Sequence, residues 1–179
     1  PLNRVLMMGT NQRDLFIPIL KKNMINTVQE GGSIFDFGGG DGQTFNLLAS
    51  SVPNDTTISV VEINQKYINQ YKQIIKRHEH LNTGVAIASG FDEMSTVAQD
   101  KKIILPVKES FCLALAIHMI YFLPDLLTSI KEMYSYLRVD GVLFIAFADK
   151  SKAYTGHVAR AYYEICDKKY EKKKFDDIS

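Results

Sequence analysis

Asp36-Phe37-Gly38-Gly39-Gly40-Asp41-Gly42 packs four glycines into seven residues. It follows the apolar run Ser33-Ile34-Phe35 and leads into Gln43-Thr44-Phe45-Asn46-Leu47-Leu48-Ala49, which reads as a helix. A strand, a glycine turn and a helix start, in that order, let a ligand lie against backbone amides. Glycine has no Cβ to hold a ligand away, and it tolerates positive φ. The helix start adds unpaired N–H groups and a partial positive potential. The spacing is D-x-G-x-G-x-G, with Gly38, Gly40 and Gly42 at alternate positions. A dinucleotide fingerprint, G-x-G-x-x-G, would need its third glycine where Gln43 stands. A phosphate-binding loop would need Gly-Lys followed by Ser or Thr, which is absent.

Outward from this stretch, strand and helix patterns alternate. Residues 14–28 place Phe16, Leu20, Met24 and Val28 at four-residue intervals, an amphipathic helix with Pro18 near its start. After the glycine turn comes a helix over 43–50, a turn at Pro53-Asn54-Asp55 and a β-branched strand, Thr57 to Val61. Asn64 suits the cap of a helix whose Tyr67, Ile68, Tyr71, Ile74 and Ile75 share a face. Val85 to Ala88 reads as a third strand, followed by Ser89-Gly90-Phe91-Asp92 and a short helix to about residue 99. Residues 100–110 read as a loop. The fourth strand, 111–117, is continuously apolar, as a parallel strand covered on both faces should be. Pro124 and Asp125 open a helix with Leu126, Leu127, Ile130, Met133, Tyr134 and Leu137 on one stripe. Asp140-Gly141 turns the chain into a fifth strand, Val142 to Ala148, and a last helix is expected over 153–172. Alternation of this kind predicts an α/β fold: a doubly wound, mostly parallel sheet with helices on both faces. Ligands in such sheets bind beyond the C-terminal strand ends, where strand order reverses.

The 179 residues fit one domain, 1–179, with a substantial core. A hydrophobic share of 46% and a charged share of 23% argue against a disordered chain. No stretch has 18 uninterrupted apolar residues and no signal peptide is visible, so neither a membrane partner nor export is expected and a cytoplasmic location is. A formal net charge of +1 provides no overall field to attract nucleic acid. The basic run Lys168 to Lys174 has no matching stripe elsewhere and reads as a solvated face. Cys112 and Cys166 form no CxxC or metal-ligand cluster, which suits a reducing compartment and predicts no metal site. The chain opens on Pro1, as a trimmed fragment would.

The residues with chemistry all fall at strand ends. Glu62, 20 residues after Gly42, can accept hydrogen bonds from both hydroxyls of a ribose, or be a solvated acid. Asp36 can orient a ligand's amino group directly or through water, while Asp41 can serve the ligand or merely favour the bend. Phe91 can stack on a base and Asp92 can accept its exocyclic amine, although Asp92 is also placed to cap a helix. His118 can contact ligand or accept a proton near neutral pH, or simply bond to neighbouring backbone. Tyr121 and Phe122 can wall a pocket or pack beneath the next helix.

The glycine motif, Glu62 and the run Leu113 to Asp125 together resemble the class I S-adenosylmethionine-dependent methyltransferases, over about residues 33–148. Within that class, Val60-Val61-Glu62 with the helix Gln65 to Ile75, and the run Ile117 to Asp125, are similar to histamine N-methyltransferase-like enzymes. The resemblance implies an S-adenosylmethionine cofactor and a small-molecule methyl acceptor, an amine among the candidates. It implies cofactor contacts at Asp36, Gly38, Gly39, Gly40, Gly42, Glu62, Ile63, Phe91, Asp92 and His118, with His118 and Tyr121 as the catalytic candidates. The family sheet normally continues with an antiparallel strand pair, and no convincing sixth or seventh strand is legible before Ser179. A C-terminally truncated fragment, or a substrate cover from elsewhere, is therefore expected. The alternatives are an NAD-dependent oxidoreductase and a cofactor-binding or regulatory module without turnover. The oligomeric state is not legible.

Overall fold

A computed structural model describes residues 12–147. The helix expected over 153–172, the basic run from Lys168, and Cys166 lie outside the described residues. The elements in chain order are α1 (Gln12–Thr27), β1 (Ser33–Phe37), α2 (Gln43–Leu48), β2 (Thr56–Glu62), α3 (Gln65–Arg77), β3 (Leu81–Ala88), α4 (Met94–Lys101), β4 (Phe111–Ile117), α5 (Leu126–Ser135) and β5 (Leu137–Ala146). Short 3₁₀ turns follow α2 and β4, at Ala49–Ser51 and Ile120–Phe122.

The five strands form one parallel sheet in the order β3-β2-β1-β4-β5. From β1 the chain steps outward through β2 to β3, then returns to the other side of β1 with β4. The reversal lies between β1 and β4, where Phe37 pairs with Ala116. A crevice for ligands forms at such a point.

Strand periodicity sends alternate side chains to opposite faces, and each face has its own core. Ile34, Ile58, Val60, Leu113 and Leu115 pack under α1, α2 and α3 against Leu20, Met24, Phe45 and Ile75. Phe35, Phe37, Val61, Ala114 and Ala116 form the other core with Met94 of α4, Met133 of α5 and Tyr136. Phe35 and Phe37 lie 4.2 Å apart between ring centroids, and Tyr136 meets Phe35 edge-on at 5.2 Å. Capping follows the sequence at α3, and at α5 the structure makes Asp125 the cap. Asn64 Oδ1 accepts from Lys66 N at 2.9 Å, and Asp125 Oδ1 accepts from Thr128 N at 3.0 Å.

Five sequence expectations are corrected. β3 starts at Leu81, four residues before the apolar run that signals it, because backbone pairing to β2 continues through polar residues. The Asp140-Gly141 turn lies inside β5, not before it: Phe111 pairs with Leu137 but Leu113 with Val142, and Asp140 takes φ 65° in the resulting bulge. On α5 the buried positions are Ser129 and Met133, whereas Leu127 and Tyr134, roughly 100–160° away around the helix, are exposed. α4 begins at Met94 with Glu93 before it and no side-chain cap, so Asp92 is not the capping residue. α1 starts at Gln12, which puts Pro18 inside the helix, on its exposed side. There water can donate to the carbonyl that the proline ring leaves unpaired.

Candidate functional site

The glycine turn caps the C-terminal end of β1. Gly38 N donates to Val61 O of β2 at 2.8 Å, so the turn is tied to the neighbouring strand at its first residue. Gly38, Gly40 and Gly42 take φ of 68°, 58° and 80°, so the alternating spacing is an alternation of left-handed residues. Asp41 serves the turn: its Oδ1 accepts from Gln43 N at 3.1 Å, at the start of α2. Gly39 is constrained differently. A Cβ there would lie 2.6 Å from Tyr71 Cε2, 2.8 Å from Val60 Cγ2 and 3.0 Å from Asp36 Oδ2.

Glu62, at the end of β2, reaches over to this turn. Its Oε2 accepts from Gly40 N at 3.1 Å and its Oε1 from Asn64 N at 3.0 Å. One half-buried carboxylate therefore connects the turn to the cap of α3. Ile63, next to it, is 75% exposed. Asp36, on the same face of the sheet, lies deeper, where it is buried and accepts from the Tyr71 hydroxyl at 2.7 Å. Burial pushes the Asp36 carboxyl up to about 7; the Tyr71 hydrogen bond opposes that rise and the nearby Glu62 charge adds to it. Burial and the Asp36 charge push the Tyr71 phenol up as well.

After β3, Ser89 N donates to Glu62 O at 3.1 Å, holding the next loop beside the end of β2. Phe91 meets Phe37 edge-on at 5.1 Å and stays partly accessible, while Asp92 is exposed. A cleft of about 240 Å³ opens here, with Phe91, Asp92 and Ser95 on one side and Thr128, Ser129 and Glu132 on the other. No residue of the glycine turn lines this cleft.

At the end of β4, His118 has φ 56° and its N donates to Ala146 O of β5 at 2.8 Å. Its ring is perpendicular to that of Phe16 at 6.3 Å, which brings α1 against this strand end. Burial lowers the pKa of His118 from its ordinary value of 6.5, so its imidazole is neutral at pH 7. Met119, the next residue, is buried, and a Cβ on Gly38 would lie 2.5 Å from its Cβ. Tyr121 is half-buried, and Phe122 is 82% exposed.

The fold thus gathers the glycine turn, Glu62 and Ile63 at the ends of β1 and β2, with His118 at the end of β4 beside β1. Phe91 and Asp92 follow β3, and Phe91 reaches β1 through Phe37. Two residues at the turn were not singled out by sequence as site residues, Tyr71 and Met119. Tyr71 carried a signal: a tyrosine on an apolar helix face needs a partner for its hydroxyl, and Asp36 is an acid within a buried strand. Met119 carried none beyond its place after His118. Among the described residues, no group of His, Cys, Asp and Glu is arranged to hold a metal ion.

The model of a family described as a methyltransferase domain matches residues 11–173. The chain belongs to the methyltransferase domain family, whose enzymes transfer methyl groups. No curated protein matches it. Solved methyltransferases share the fold. An S-adenosylmethionine-dependent methyltransferase from Aquifex aeolicus has a TM-score of 0.58 at 14% identity, covering 87% of this chain and 81% of that one. The CurJ carbon methyltransferase has a TM-score of 0.63 at 12% identity, covering 81% of this chain and 38% of that one. The methyltransferase CalH, solved with S-adenosylhomocysteine, has a TM-score of 0.54 at 15% identity, covering 70% and 34%. The methyltransferase domain therefore spans most of one such relative and well under half of the other two.

Proposed function

We propose that this methyltransferase domain uses S-adenosylmethionine and methylates a small-molecule nucleophile, with an amine of the histamine N-methyltransferase type as the first candidate. The observation that carries the reading is the Glu62 carboxylate at the end of β2, in contact with Gly40 of the turn. A carboxylate offers about four lone-pair directions, and two are engaged by Gly40 N and Asn64 N. The other two suit the paired hydroxyls of a ribose, so the residues present fit the cofactor. An NAD-dependent oxidoreductase is not favoured, because Gln43 opens α2 where a dinucleotide fingerprint places its third glycine.

Bound S-adenosylmethionine supplies a methyl group already activated on a sulfonium. The chain's own residues bind and orient. Gly38, Gly39, Gly40 and Gly42 give an approach without side chains, Glu62 anchors the ribose, Ile63 offers an exposed apolar surface to the base, and Phe91 and Asp92 its second face and an acceptor. Asp36 supports the turn from below. His118, neutral at pH 7, orients the acceptor or takes its proton, with Tyr121 as pocket wall. Holding the two reactants in near-attack geometry is the main contribution, since a thioether leaves readily.

A net charge of +1 supports a small acceptor over nucleic acid, because phosphate binding draws on many cations. No described helix is long and apolar enough to cross a membrane, and we place the domain in the cytoplasm.

Calorimetric titration with S-adenosylmethionine, S-adenosylhomocysteine and NAD is the test. The first two should bind at roughly micromolar concentrations, about −8 kcal/mol, and NAD far more weakly. Tighter binding of NAD would overturn the assignment. Methyl transfer to a panel of small amines should follow; binding without transfer to any acceptor would instead favour the regulatory module. At saturating S-adenosylmethionine, kcat should also fall as pH drops below the neutral range and His118 becomes protonated. His118→Gln should remove that acid limb and cost roughly tenfold in kcat, below the 10²–10⁴ of a full general base. An acid limb that persists in His118→Gln would assign it to another group.

A further inference from the structure

One side chain outside the expected contact set touches most of the parts that shape the turn. Tyr71 lies on α3 with no exposed surface. A Cβ on Gly39 would be 2.6 Å from its Cε2; one on Gly42 would be 3.1 Å from its Cδ2 and 3.2 Å from its Cα. The ring stacks on Phe45 of α2 at 5.5 Å, and the hydroxyl donates to Asp36 of β1 at 2.7 Å. We propose that Tyr71 is a positioning residue for the cofactor turn: its ring is the floor on which Gly39 and Gly42 close, and its hydroxyl fixes the Asp36 carboxyl beneath them. The proposal deepens the cofactor reading above and rests on it.

A chemical consequence follows for the cofactor pair. Among the described residues, the titratable groups facing Asp36 are Tyr71, from α3, and Glu62, from β2. With its carboxyl at about 7, Asp36 changes charge near neutrality, and the Tyr71 hydrogen bond favours the ionised form. S-adenosylmethionine, with its sulfonium, ammonium and carboxylate, has a net charge of about +1 at neutral pH, whereas S-adenosylhomocysteine is neutral. A cation above the turn stabilises the Asp36 carboxylate, so binding of S-adenosylmethionine releases a proton and tightens as pH rises through 7. Binding of the neutral product responds less. The Asp36–Tyr71 pair thereby helps the site to prefer methyl donor over product once Asp36 is ionised.

Two measurements on the folded chain test this. Carboxyl-carbon NMR without ligand, with Asp36 assigned by Asp36→Asn, should give a midpoint of about 7. The midpoint should move upward in Tyr71→Phe, where the ring remains and the donor is lost. A wild-type midpoint near the ordinary 3.8, or an unmoved midpoint in Tyr71→Phe, would overturn the proposal. Calorimetry across roughly pH 6 to 7.5, below the range in which the ligands' α-amino groups titrate, should show S-adenosylmethionine affinity rising with pH and S-adenosylhomocysteine affinity nearly flat. In Tyr71→Phe that rise should shift to higher pH and affinity at pH 7 fall about tenfold. A lower melting temperature with the affinity profile unchanged would reduce Tyr71 to a core residue and overturn its positioning role. If wild type binds neither ligand, the cofactor reading and the coupling both fall, while the carboxyl titration still decides the Asp36–Tyr71 pair.

Discussion

Gly39→Val is expected to abolish measurable S-adenosylhomocysteine binding in a protein that still folds. The added Cβ would lie 2.6 Å from Tyr71 Cε2 and 2.8 Å from Val60 Cγ2, both on fully buried side chains, and 3.0 Å from Asp36 Oδ2. None of these three is the free end of a flexible chain, so the turn itself must lift. Overpacking of this kind costs roughly 1–3 kcal/mol, which for a domain of this size lowers the melting temperature by about 2–12 °C. The sheet survives because its two cores lie below the turn. Binding is more sensitive, since a turn displaced by about 1 Å misplaces every amide it presents. Gly40→Val is the informative companion. Its backbone sits at φ 58°, which a β-branched residue strongly resists, so it too should lose affinity, but through local strain. Gly40→Ala should therefore be milder than Gly39→Ala. Melting curves and titrations on the same preparations test both, and a folded Gly39→Val with wild-type affinity would remove the steric account of the turn.

The glycine motif illustrates what the residues alone could say. Alternation at Gly38, Gly40 and Gly42 was legible because positive φ is a local property, and all three take it. The need for glycine at position 39 was not legible, because it comes from α3, more than thirty residues away, and from a ring whose position only the packed helix defines. The same division runs through the fold. β4 has the bounds its apolar run predicts, and β1 begins with its run at Ser33 and continues through Asp36 to Phe37, since a central parallel strand is buried on both faces. β3 and β5, at the sheet edges, depart from their runs: their polar residues pair through backbone alone, and hydrophobic pattern cannot report that.

Side-chain direction was harder to read than position. Asp36 and Glu62 both stand at the C-terminal ends of adjacent strands, and sequence offered the cofactor both. Strand alternation sends both to the face of α1, α2 and α3; Asp36, level with Val60, is taken by Tyr71 within that layer, whereas Glu62, two residues further along its strand, meets Gly40. On α5, a helix of ten residues, the apolar stripe read from sequence was wide enough to take in the buried Met133 together with the exposed Leu127 and Tyr134.

Glu62→Ala should weaken cofactor binding by roughly 1.5–3 kcal/mol, about 10- to 100-fold, because charge-assisted hydrogen bonds to the ribose are lost. The structure adds a second loss. Gly40 N and Asn64 N each give up an acceptor, so the turn and the start of α3 loosen even without ligand. Both bonds are at least partly solvated and water can replace them, so the melting temperature should fall by only a few degrees, a change of about 1 kcal/mol. Glu62→Gln separates the two roles. Its one carbonyl oxygen can retain Gly40 N, while its NH2 can accept neither from Asn64 N nor from a ribose hydroxyl; the Asn64 bond is exposed and water replaces it, so stability should fall less than in Glu62→Ala. If binding is lost in Glu62→Gln while the melting temperature holds, Glu62 contacts the cofactor directly. If Glu62→Gln binds as well as wild type and only Glu62→Ala fails, the carboxylate does no more than brace the turn. Unchanged affinity in both variants would mean that the ribose is held elsewhere.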